Sequence, residues 1–449
     1  MFNLRPLKNK KGGEKMIKRY TRKKMKEIWT DRYKFERMKD VEVAVIKARK
    51  ECGDLELDTE IPEIKVDLKE LEKIKKIERK IGHDVLSFVR ATAEQLPEEL
   101  KREWHSGLTS YDPQDTSLSL RIKESFKIIE KDLVELREAI KEKAIKYKHT
   151  PQIGRTHGQH AEPITFGFKL LNWYVEMRRH LKYLRLIAEE ASVGKISGAV
   201  GVYTLQPQAE EIVCKKLGLK PVEISTQVIS RDIHCYCLFI LAQIATSLEK
   251  FATNIRNLAR PEIAEVMEGF PPEKKGSSAM PHKKNPDGCE NICSLARLVR
   301  SYLLPVLENN AVMWEERSLD NSANERITLP DAFILVDYML ARFTGIIKNL
   351  VVDEKRMLQN IYLTKEAVFS QRLMLALTKK GVPREEAHDL VQKLVEISRN
   401  CGEKLSTVVQ FAEHSSLSSF TPQEIKEIFS LQNHLRYIDY IFEKVLKKD

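Results

Sequence analysis

The stretch IHCYCLFILAQIATSLEKFATNIRNLA, from Ile233 to Ala259, decides the fold class of this chain. Its apolar side chains recur in steps of three or four residues, the spacing of a near-heptad seam on one helix face. Such a helix is about 40 Å long at ~1.5 Å per residue, and its seam requires a partner helix along the whole length. Polar residues interrupt the stretch, which favours a buried core helix over a membrane span. The seam consists of Ile233, Cys237, Ile240, Ile244, Leu248, Phe251, Ile255 and Leu258.

Two more long helical patterns extend this interpretation. One runs from about Phe166 to Ala191, and another begins after Pro286 and is expected to bend at Pro305. Glycine (18) and proline (17) are both scarce in a chain of 449 residues, and no clear strand alternation appears. We therefore predict an all-α, elongated subunit whose long helices complete their core by oligomerising.

The helical patterns divide the chain into three predicted domains. Residues 16–108 carry short amphipathic helices, residues 109–363 form a central bundle of long helices, and residues 364–449 return to shorter helices. Residues 1–15 have no packing pattern, which indicates a disordered extension or an upstream start codon.

The positive charge of the chain is concentrated at its beginning. The formal net charge is +11, but residues 1–26 hold eleven Lys or Arg and one acidic residue, so the remainder sums to about +1. A basic arm could bind nucleic acid. No aromatic residue alternates with the basic ones before Tyr20, which favours a solvated extension instead. We expect neither a nucleic-acid nor a membrane partner.

The cysteines indicate a reducing compartment. Seven are scattered along the chain without a repeated CxxC pattern, and the start of the chain lacks the apolar segment of a secretory signal. We expect buried free thiols in a cytoplasmic protein.

Five polar segments interrupt the helical patterns, and we expect the functional site there. Five of the eleven histidines fall in them, of which His157 and His160 have a spacing that could suit a metal. No HExxH motif or phosphate-binding glycine loop is present, so we predict a reaction without metal or cofactor. The segments are residues 82–84, 104–110, 154–163, 276–286 and 317–326.

The segment GSSAMPHKKNP, residues 276–286, has the residues of an anion site. Lys283 and Lys284 could stabilise a developing carboxylate charge, and the helix that follows Pro286 presents an N-terminus that favours anions. A serine beside these cations could act as a base. A solvated loop with unrelated lysines remains the alternative. In another segment, Asp112 as N-cap with Pro113 at the first helical position predicts the start of a helix.

These segments resemble a known enzyme family. GSSAMPHKKNP is similar to the signature of the fumarase/aspartase superfamily, whose members release fumarate. The resemblance to the adenylosuccinate lyases is more specific, since it includes IKRY (17–20), GHD (82–84), HSGLTS (105–110), GRTHGQHAEP (154–163), ISTQ (224–227) and residues 317–326 in order. It implies a homotetramer of three-domain helical subunits with a twenty-helix core and active sites shared between three subunits. It further implies cofactor-free cleavage of adenylosuccinate and of SAICAR in purine biosynthesis.

The resemblance also implies residue roles. Ser277, or failing that Ser278, would be the base and His157 the acid, with Glu290 orienting His157. His83 would support binding or proton transfer, and Lys283 would stabilise the carbanion. The substrate contacts implied are Asp84 and His105, then Arg19, Tyr20, Arg317, Ser322 and Arg326 at the phosphate, and Thr109, Ser110, Thr156, Gln227, Lys283 and Asn285 at the succinyl group.

Two departures and one rival reading accompany the resemblance. Gly82 stands where many relatives have arginine, so one nucleotide contact is expected to be missing or replaced. The family usually begins near Met16. Argininosuccinate lyase and carboxymuconate cycloisomerase are the nearest alternative families. Both lack the combination of GRTHGQHAEP and IKRY that this chain has, which argues against them.

Overall fold

The computed structural model describes residues 18–270 and 280–447, and these are mostly helical, which confirms the all-α prediction. In chain order the helices are α1 Lys23–Ile28, α2 Asp31–Glu51, α3 Leu68–Ile81, α4 Asp84–Ala93, α5 Glu98–Glu103, α6 Tyr111–Lys146, α7 Phe166–Glu190, α8 Pro207–Leu217, α9 Asp232–Leu258, α10 Asp287–Ser301, α11 Leu303–Ala311, α12 Asp320–Lys348, α13 Glu354–Ile361, α14 Ser370–Lys379, α15 Arg384–Cys401, α16 Leu405–Phe411, α17 Pro422–Ile428, α18 Leu431–His434 and α19 Ile438–Leu446. Short 3-10 turns occupy Lys18–Tyr20, Tyr362–Thr364 and Ala367–Phe369.

Helix α9 confirms the seam that the sequence predicts. Every seam residue from Cys237 to Leu258 is buried, whereas Tyr236 and Phe239 on another face are exposed. By length and hydropathy this helix could cross a membrane, but two thirds of its most apolar 18-residue stretch is buried inside the protein. It is therefore a core helix.

The other long helices lie where the pattern predicts them. Helix α7 matches the predicted span to within one residue at its end. The bend expected at Pro305 is a break, because α10 ends at Ser301 and α11 begins at Leu303. Pro305 consequently lies in the first turn of α11, where a missing N–H is tolerated.

A β-hairpin is the main feature that the helical pattern did not predict. Strand β1 (Pro151–Thr156) pairs antiparallel with β2 (Gln159–Thr165). Two pairs of two-residue strands are also present: β3 (Val193–Gly194) with β4 (Lys220–Pro221), and β5 (Val266–Met267) with β6 (Val351–Val352). The hairpin gave no clear alternation because a register irregularity lies between Ile153 and Arg155, and Pro163 interrupts the second strand.

The chain folds into two compact units. Of the described residues, the first unit comprises 18–134, 179–249 and 292–342, and the second comprises 135–178, 250–270, 280–291 and 343–447. One core of the first unit packs α2, α3 and α4 around Phe35, Phe88 and Trp104. One core of the second unit gathers Leu373, Leu394 and Val409 from its C-terminal helices. The predicted division into domains at residues 108 and 363 stays a prediction.

Among the described residues no cysteine forms a disulfide, and five of the seven cysteines are buried. Cys52 is partly exposed and Cys401 is exposed. The expectation of buried cysteines outside disulfides therefore holds for most of them.

Candidate active site

His83 begins helix α4 as its N-cap. Its Nδ1 atom accepts a hydrogen bond from the backbone N–H of Leu86 at 3.2 Å. A backbone N–H can only donate, so Nδ1 carries no hydrogen and the neutral ring holds its hydrogen on Nε2. That Nε2 lies 3.5 Å from the Ser110 hydroxyl, and the ring is exposed. The fold therefore fixes which nitrogen of His83 can offer a proton.

Gly82, the departure from the family pattern, ends helix α3 directly before His83. It is the C-cap residue, in the left-handed conformation with φ of 69°. Glycine adopts this conformation without the steric cost of a Cβ atom. The glycine therefore has a backbone function at the junction of α3 and α4.

Asp84 joins two cations. Its Oδ2 atom accepts hydrogen bonds from the Lys34 ammonium and the Arg326 guanidinium, each at 2.8 Å. Burial opposes ionisation of the carboxyl, but these two cations hold the pKa of Asp84 well below its usual value. Asp84 is consequently a carboxylate, and it orients Arg326 at the start of α12.

Arg317 and Ser322 meet at Tyr111. The guanidinium of Arg317 donates to the Tyr111 hydroxyl and to Asn321 Oδ1, the latter at 2.8 Å. Its central carbon lies 4.0 Å from the centre of the Tyr111 ring. Burial raises the pKa of Tyr111, and the nearby Ser322 side chain opposes this rise. Sequence reasoning missed Tyr111, since nothing local to its position indicates a partner two hundred residues away.

A buried ion pair stabilises the segment that precedes α6. Asp112 accepts the backbone N–H of Thr109 at 2.8 Å and pairs with the Lys195 ammonium, and both charged side chains are fully buried. The prediction that Asp112 is the N-cap is wrong by two residues. Helix α6 begins at Tyr111, and the carbonyl of Ser110 accepts the N–H of Gln114. The burial of Asp112 against Lys195 explains the difference.

Gln227 approaches the same region. Its backbone N–H donates to the carbonyl of Glu316, the residue before Arg317, at 3.3 Å. Its side chain donates to the carbonyl of Ala199 at 3.1 Å. The ISTQ segment is thereby tied to the segment that carries Arg317.

Three predicted segments of the first unit thus converge. Arg326 bonds Asp84, and the neighbouring His83 faces Ser110. The next residue, Tyr111, bonds Arg317 and lies near Ser322. We call this set the polar ring: His83, Asp84, Ser110, Tyr111, Arg317, Ser322 and Arg326.

Three predicted residues of the first unit lie apart from the polar ring. The Tyr20 ring packs edge-on against Tyr338 at 5.3 Å, and Tyr338 follows Arg326 by twelve residues on α12, about 18 Å along the helix axis. Arg19 is exposed beside it. His105 instead pairs through Nδ1 with buried Glu42 at 2.6 Å. Burial opposes protonation, but Glu42 raises the pKa of His105 above its ordinary value.

His157 lies at the tip of the β1–β2 hairpin in the second unit. Thr156 pairs with Gln159, so His157 and Gly158 form a two-residue turn. Both have positive φ, 54° and 78°, as in a type I′ turn, whose twist matches that of the strands. The turn exposes Thr156 and His157 to solvent. We call residues 151–165 the His157 hairpin.

Residues after the signature serines also belong to the second unit. Lys283 is exposed, and its N–H closes a turn onto the carbonyl of Met280 at 3.0 Å. Glu290 is half exposed in the first turn of α10. Among the described residues no hydrogen bond or ion pair joins Glu290 to His157. Ser277 and Ser278 lie outside the described residues, and Asn285 is partly buried.

The N-terminus of α10 holds an anion, but the anion is the protein's own. The buried Glu268 carboxylate accepts the N–H groups of Gly288 at 3.2 Å and Cys289 at 2.5 Å. The expectation that this helix end would attract a ligand anion therefore needs correction. The dipole of α10 is already neutralised by an internal carboxylate.

His157 and His160 have no metal-binding neighbours in the part of the chain that the structure describes. Within residues 18–270 and 280–447, no group of three or more His, Cys, Asp or Glu side chains is arranged to hold a metal ion. Burial lowers the pKa of His160, as does nearby Arg155.

Comparison with known proteins identifies the family. Residues 17–300 match the family model described as "Lyase", and residues 366–445 match the model described as "Adenylosuccinate lyase C-terminus". Over 435 residues the chain is 43% identical to the adenylosuccinate lyase of Thermotoga maritima, covering 96% of this chain and 100% of that one. The chain belongs to the adenylosuccinate lyase family. The family enzyme of Aquifex aeolicus is 44% identical over 439 residues, or 96% of this chain and 99% of that one.

Solved structures agree with the fold of this family. A fumarate lyase from Mesorhizobium sp. BNC1 has a TM-score of 0.84 at 24% identity, with 99% of this chain and 100% of that one covered. A 3-carboxy-cis,cis-muconate lactonizing enzyme from Pseudomonas putida has a TM-score of 0.83 at 27% identity, covering 95% and 97% of the two chains. Because the fumarate lyase is only 24% identical to this chain, its similarity shows the fold alone.

Proposed function

We propose that the protein is an adenylosuccinate lyase of purine biosynthesis. It cleaves adenylosuccinate to AMP and fumarate, and SAICAR to its carboxamide product AICAR and fumarate. The observation that carries the proposal is the polar ring: three separate segments of the family pattern converge in one unit of a chain that is 43% identical to curated family members over nearly its whole length.

The reaction is a β-elimination that balances without an oxidant, a reductant or a group carrier. A base removes the proton from the succinyl carbon beside a carboxylate, and the electron pair of that C–H bond becomes the C=C bond of fumarate. The C–N bond breaks, and an acid protonates the departing nitrogen. Ser277 is the proposed base and His157 the proposed acid, while Lys283 stabilises the dianionic carboxylate of the carbanion.

The polar ring recognises the substrate in this proposal. Arg317 and Arg326 bind the phosphate, because a planar guanidinium matches the geometry of an oxyanion. Their present partners, Tyr111 and Asp84, hold them at defined positions before the substrate arrives. His83 offers its Nε2 hydrogen towards the succinyl group, beside Ser110 and the neighbouring Thr109.

The active protein is proposed to be a homotetramer, with Arg19, Tyr20 and His157 supplied to each polar ring by neighbouring subunits. Exposed apolar side chains support an assembly: Tyr236 and Phe239 on α9, and Trp314, which is 76% exposed three residues before Arg317. The same exposure in a monomer would favour aggregation. Free cysteines support a cytoplasmic location.

The first experiment is a spectrophotometric assay with four substrates. Adenylosuccinate and SAICAR should be consumed with release of fumarate, whereas argininosuccinate and 3-carboxymuconate should not. Turnover of argininosuccinate without turnover of adenylosuccinate would reject the proposal. A variant that begins at Met16 should behave like the full chain; loss of its activity would show that the first fifteen residues contribute.

A second experiment tests the sharing of active sites. Variants His83→Gln and His157→Gln should each be nearly inactive as homo-oligomers. After mixing, unfolding and refolding, some sites would combine an intact polar ring with an intact hairpin, and activity should return to roughly a quarter of wild type or less. Mixed oligomers without any regained activity would show that each subunit completes its own site.

A further inference from the structure

A four-residue segment, Glu265–Glu268, contacts both elements of the second unit that are proposed to do proton chemistry. Its sequence is EVME, and its central residues, Val266 and Met267, form strand β5, paired with β6. Both glutamates are buried, although glutamate is seldom fully buried without a partner. The positions of their partners explain the burial.

Glu265 holds the His157 hairpin. Its carboxylate accepts two parallel hydrogen bonds from the Arg155 guanidinium, at 2.7 and 3.1 Å, and one from Gln152 at 2.8 Å. Asn360 of α13 donates a further bond at 2.7 Å. Arg155 and Gln152 both lie on β1, and Arg155 is two residues before His157.

The negative charge of Glu265 makes its contact with Arg155 resistant to separation. The carboxylate is fully buried, and Arg155 is 16% exposed. An ion pair of this kind is weakly screened by salt, and removal of one partner leaves a buried charge without compensation. Displacement of β1 would separate the pair, so the ion pair opposes any shift of the hairpin base.

Glu268 holds the other element. Its two oxygens accept the N–H groups of Gly288 and Cys289, at the beginning of α10, directly after the segment that carries Lys283. A Cβ atom at position 288 would lie 2.6 Å from Glu268 Oε2, which is closer than real contacts allow. Glycine at 288 therefore makes the contact sterically feasible.

The backbone of the segment is also fixed at both sides. The Glu265 N–H donates to the carbonyl of Leu258 at the end of α9, and its carbonyl accepts the N–H of Asp353 at 2.9 Å. The preceding residue, Ala264, has a φ of 50°, a left-handed conformation that alanine keeps only when its surroundings enforce it.

We infer that Glu265 and Glu268 are positioning residues, which fix the His157 hairpin and the Lys283 end of the signature segment to one rigid bracket. The inference rests on the proposed function for the roles of His157 and Lys283. It assigns a reason for the burial of both carboxylates. Geometry within about 1 Å decides rates in enzymes, so loss of the bracket should affect turnover and not substrate affinity.

The first test is kinetic. Glu265→Gln keeps the size of the side chain but removes the charge facing Arg155. We expect kcat to fall about 10- to 100-fold while KM stays within about threefold. Arg155→Gln should give a similar loss, and the double variant should be no worse than either single one, since both remove the same ion pair. The exposed Glu262→Gln is the control and should match wild type.

The second test concerns Glu268. Gly288→Ala keeps the carboxylate but places a methyl group against it, so it should lower kcat as Glu268→Gln does. Gly345→Ala is the matched control, because a Cβ atom at that helical glycine meets nothing within 4 Å. An active Gly288→Ala enzyme with wild-type kcat would overturn this half of the inference.

Amide hydrogen exchange separates the bracket from the proposed function. Glu265→Gln should accelerate exchange at residues 151–160, and Glu268→Gln should accelerate it at Gly288 and Cys289, whether or not the chain cleaves adenylosuccinate. Unchanged exchange at both places would overturn the bracket. Lower thermal stability with kcat unchanged well below the melting temperature would make the two glutamates structural residues only. An inactive wild type with the expected exchange pattern would reject the proposed function and keep the bracket.

Discussion

The polar ring and the His157 hairpin use charge in opposite ways. In the polar ring, Arg326 is 51% exposed and pairs with the partly exposed Asp84, so the charged groups that we propose to meet substrate also pair with each other. In the His157 hairpin, the charged groups lie on strand β1 and on the segment that it contacts, and not at the tip, where His157 is. Arg155 and Glu265 are largely removed from solvent, and His157 itself extends into solvent from a tight turn.

This difference corresponds to two kinds of work. Exposed ion pairs contribute little to stability and are screened by salt, so an arginine in such a pair can turn to a phosphate at small cost. Buried pairs resist separation, so they hold a neighbouring group in one place. The ring is therefore suited to bind an anion, and the hairpin is suited to hold a proton donor at a fixed distance.

The largest effect should come from His157 itself. His157→Gln removes the proposed proton donor, and general acid catalysis contributes about 10²- to 10⁴-fold, so kcat should fall by that amount. KM should change little, because the polar ring is intact. The measurement is adenylosuccinate turnover under saturating substrate. The control is His388→Gln, an exposed histidine in α15, and a wild-type kcat for His157→Gln would transfer the acid role elsewhere.

The sequence predicted the helices because their information is local. The seam of α9 recurs along one helix face, and a helix needs only that period to be recognised. The His157 hairpin was missed as a strand pair because its register is irregular and its pairing spans few residues. The residues of its two-residue turn, His157 and Gly158, were the only local indication of a hairpin.

The candidate site divides along the same line. His83, His157 and Arg326 could be named because family motifs mark them, but their partners could not. Tyr111 and Glu265 make contacts across 206 and 110 residues of sequence, to Arg317 and Arg155. Residue type alone gives no reason to select them, since partnership over such separations arises only when the chain folds.

The next effect concerns the ring. Arg326→Ala should raise KM about 10- to 100-fold, since a hydrogen bond to a charged group contributes about 1.5–3 kcal/mol and 1.4 kcal/mol corresponds to a factor of ten. kcat should fall much less than in His157→Gln. Steady-state kinetics on both substrates provide the measurement. Arg90→Ala, an exposed arginine on α4, is the control. A fall in kcat alone would contradict a binding role for the ring.

A smaller effect should distinguish orientation from contact within the ring. Tyr111→Phe keeps the aromatic ring under Arg317 but removes the hydroxyl that Arg317 bonds. The net worth of one such hydrogen bond is about 1 kcal/mol, so KM should rise about fivefold with kcat unchanged. Tyr440→Phe, at an exposed tyrosine, should have no effect. An unchanged KM in Tyr111→Phe would mean that Arg317 needs no such support.

The smallest effect is a pH dependence that the two regions should not share. Burial opposes protonation of His105, but Glu42 raises its pKa above the ordinary value for histidine. The ion pair therefore stabilises the fold fully below about pH 6.5, and this stabilisation is lost as the pH rises through the raised pKa. Glu42→Gln should therefore lower the melting temperature more at pH 6 than at pH 9, by about 2 °C, in thermal unfolding scans. Glu265→Gln should lower the melting temperature by a similar amount at both pH values, because an arginine side chain in general keeps its charge across this range. A Glu42→Gln cost that is equal at both pH values would mean that His105 is already neutral in the folded protein. Its contact with Glu42 would then be an ordinary hydrogen bond, and the first unit would rely on no titrating ion pair at this histidine.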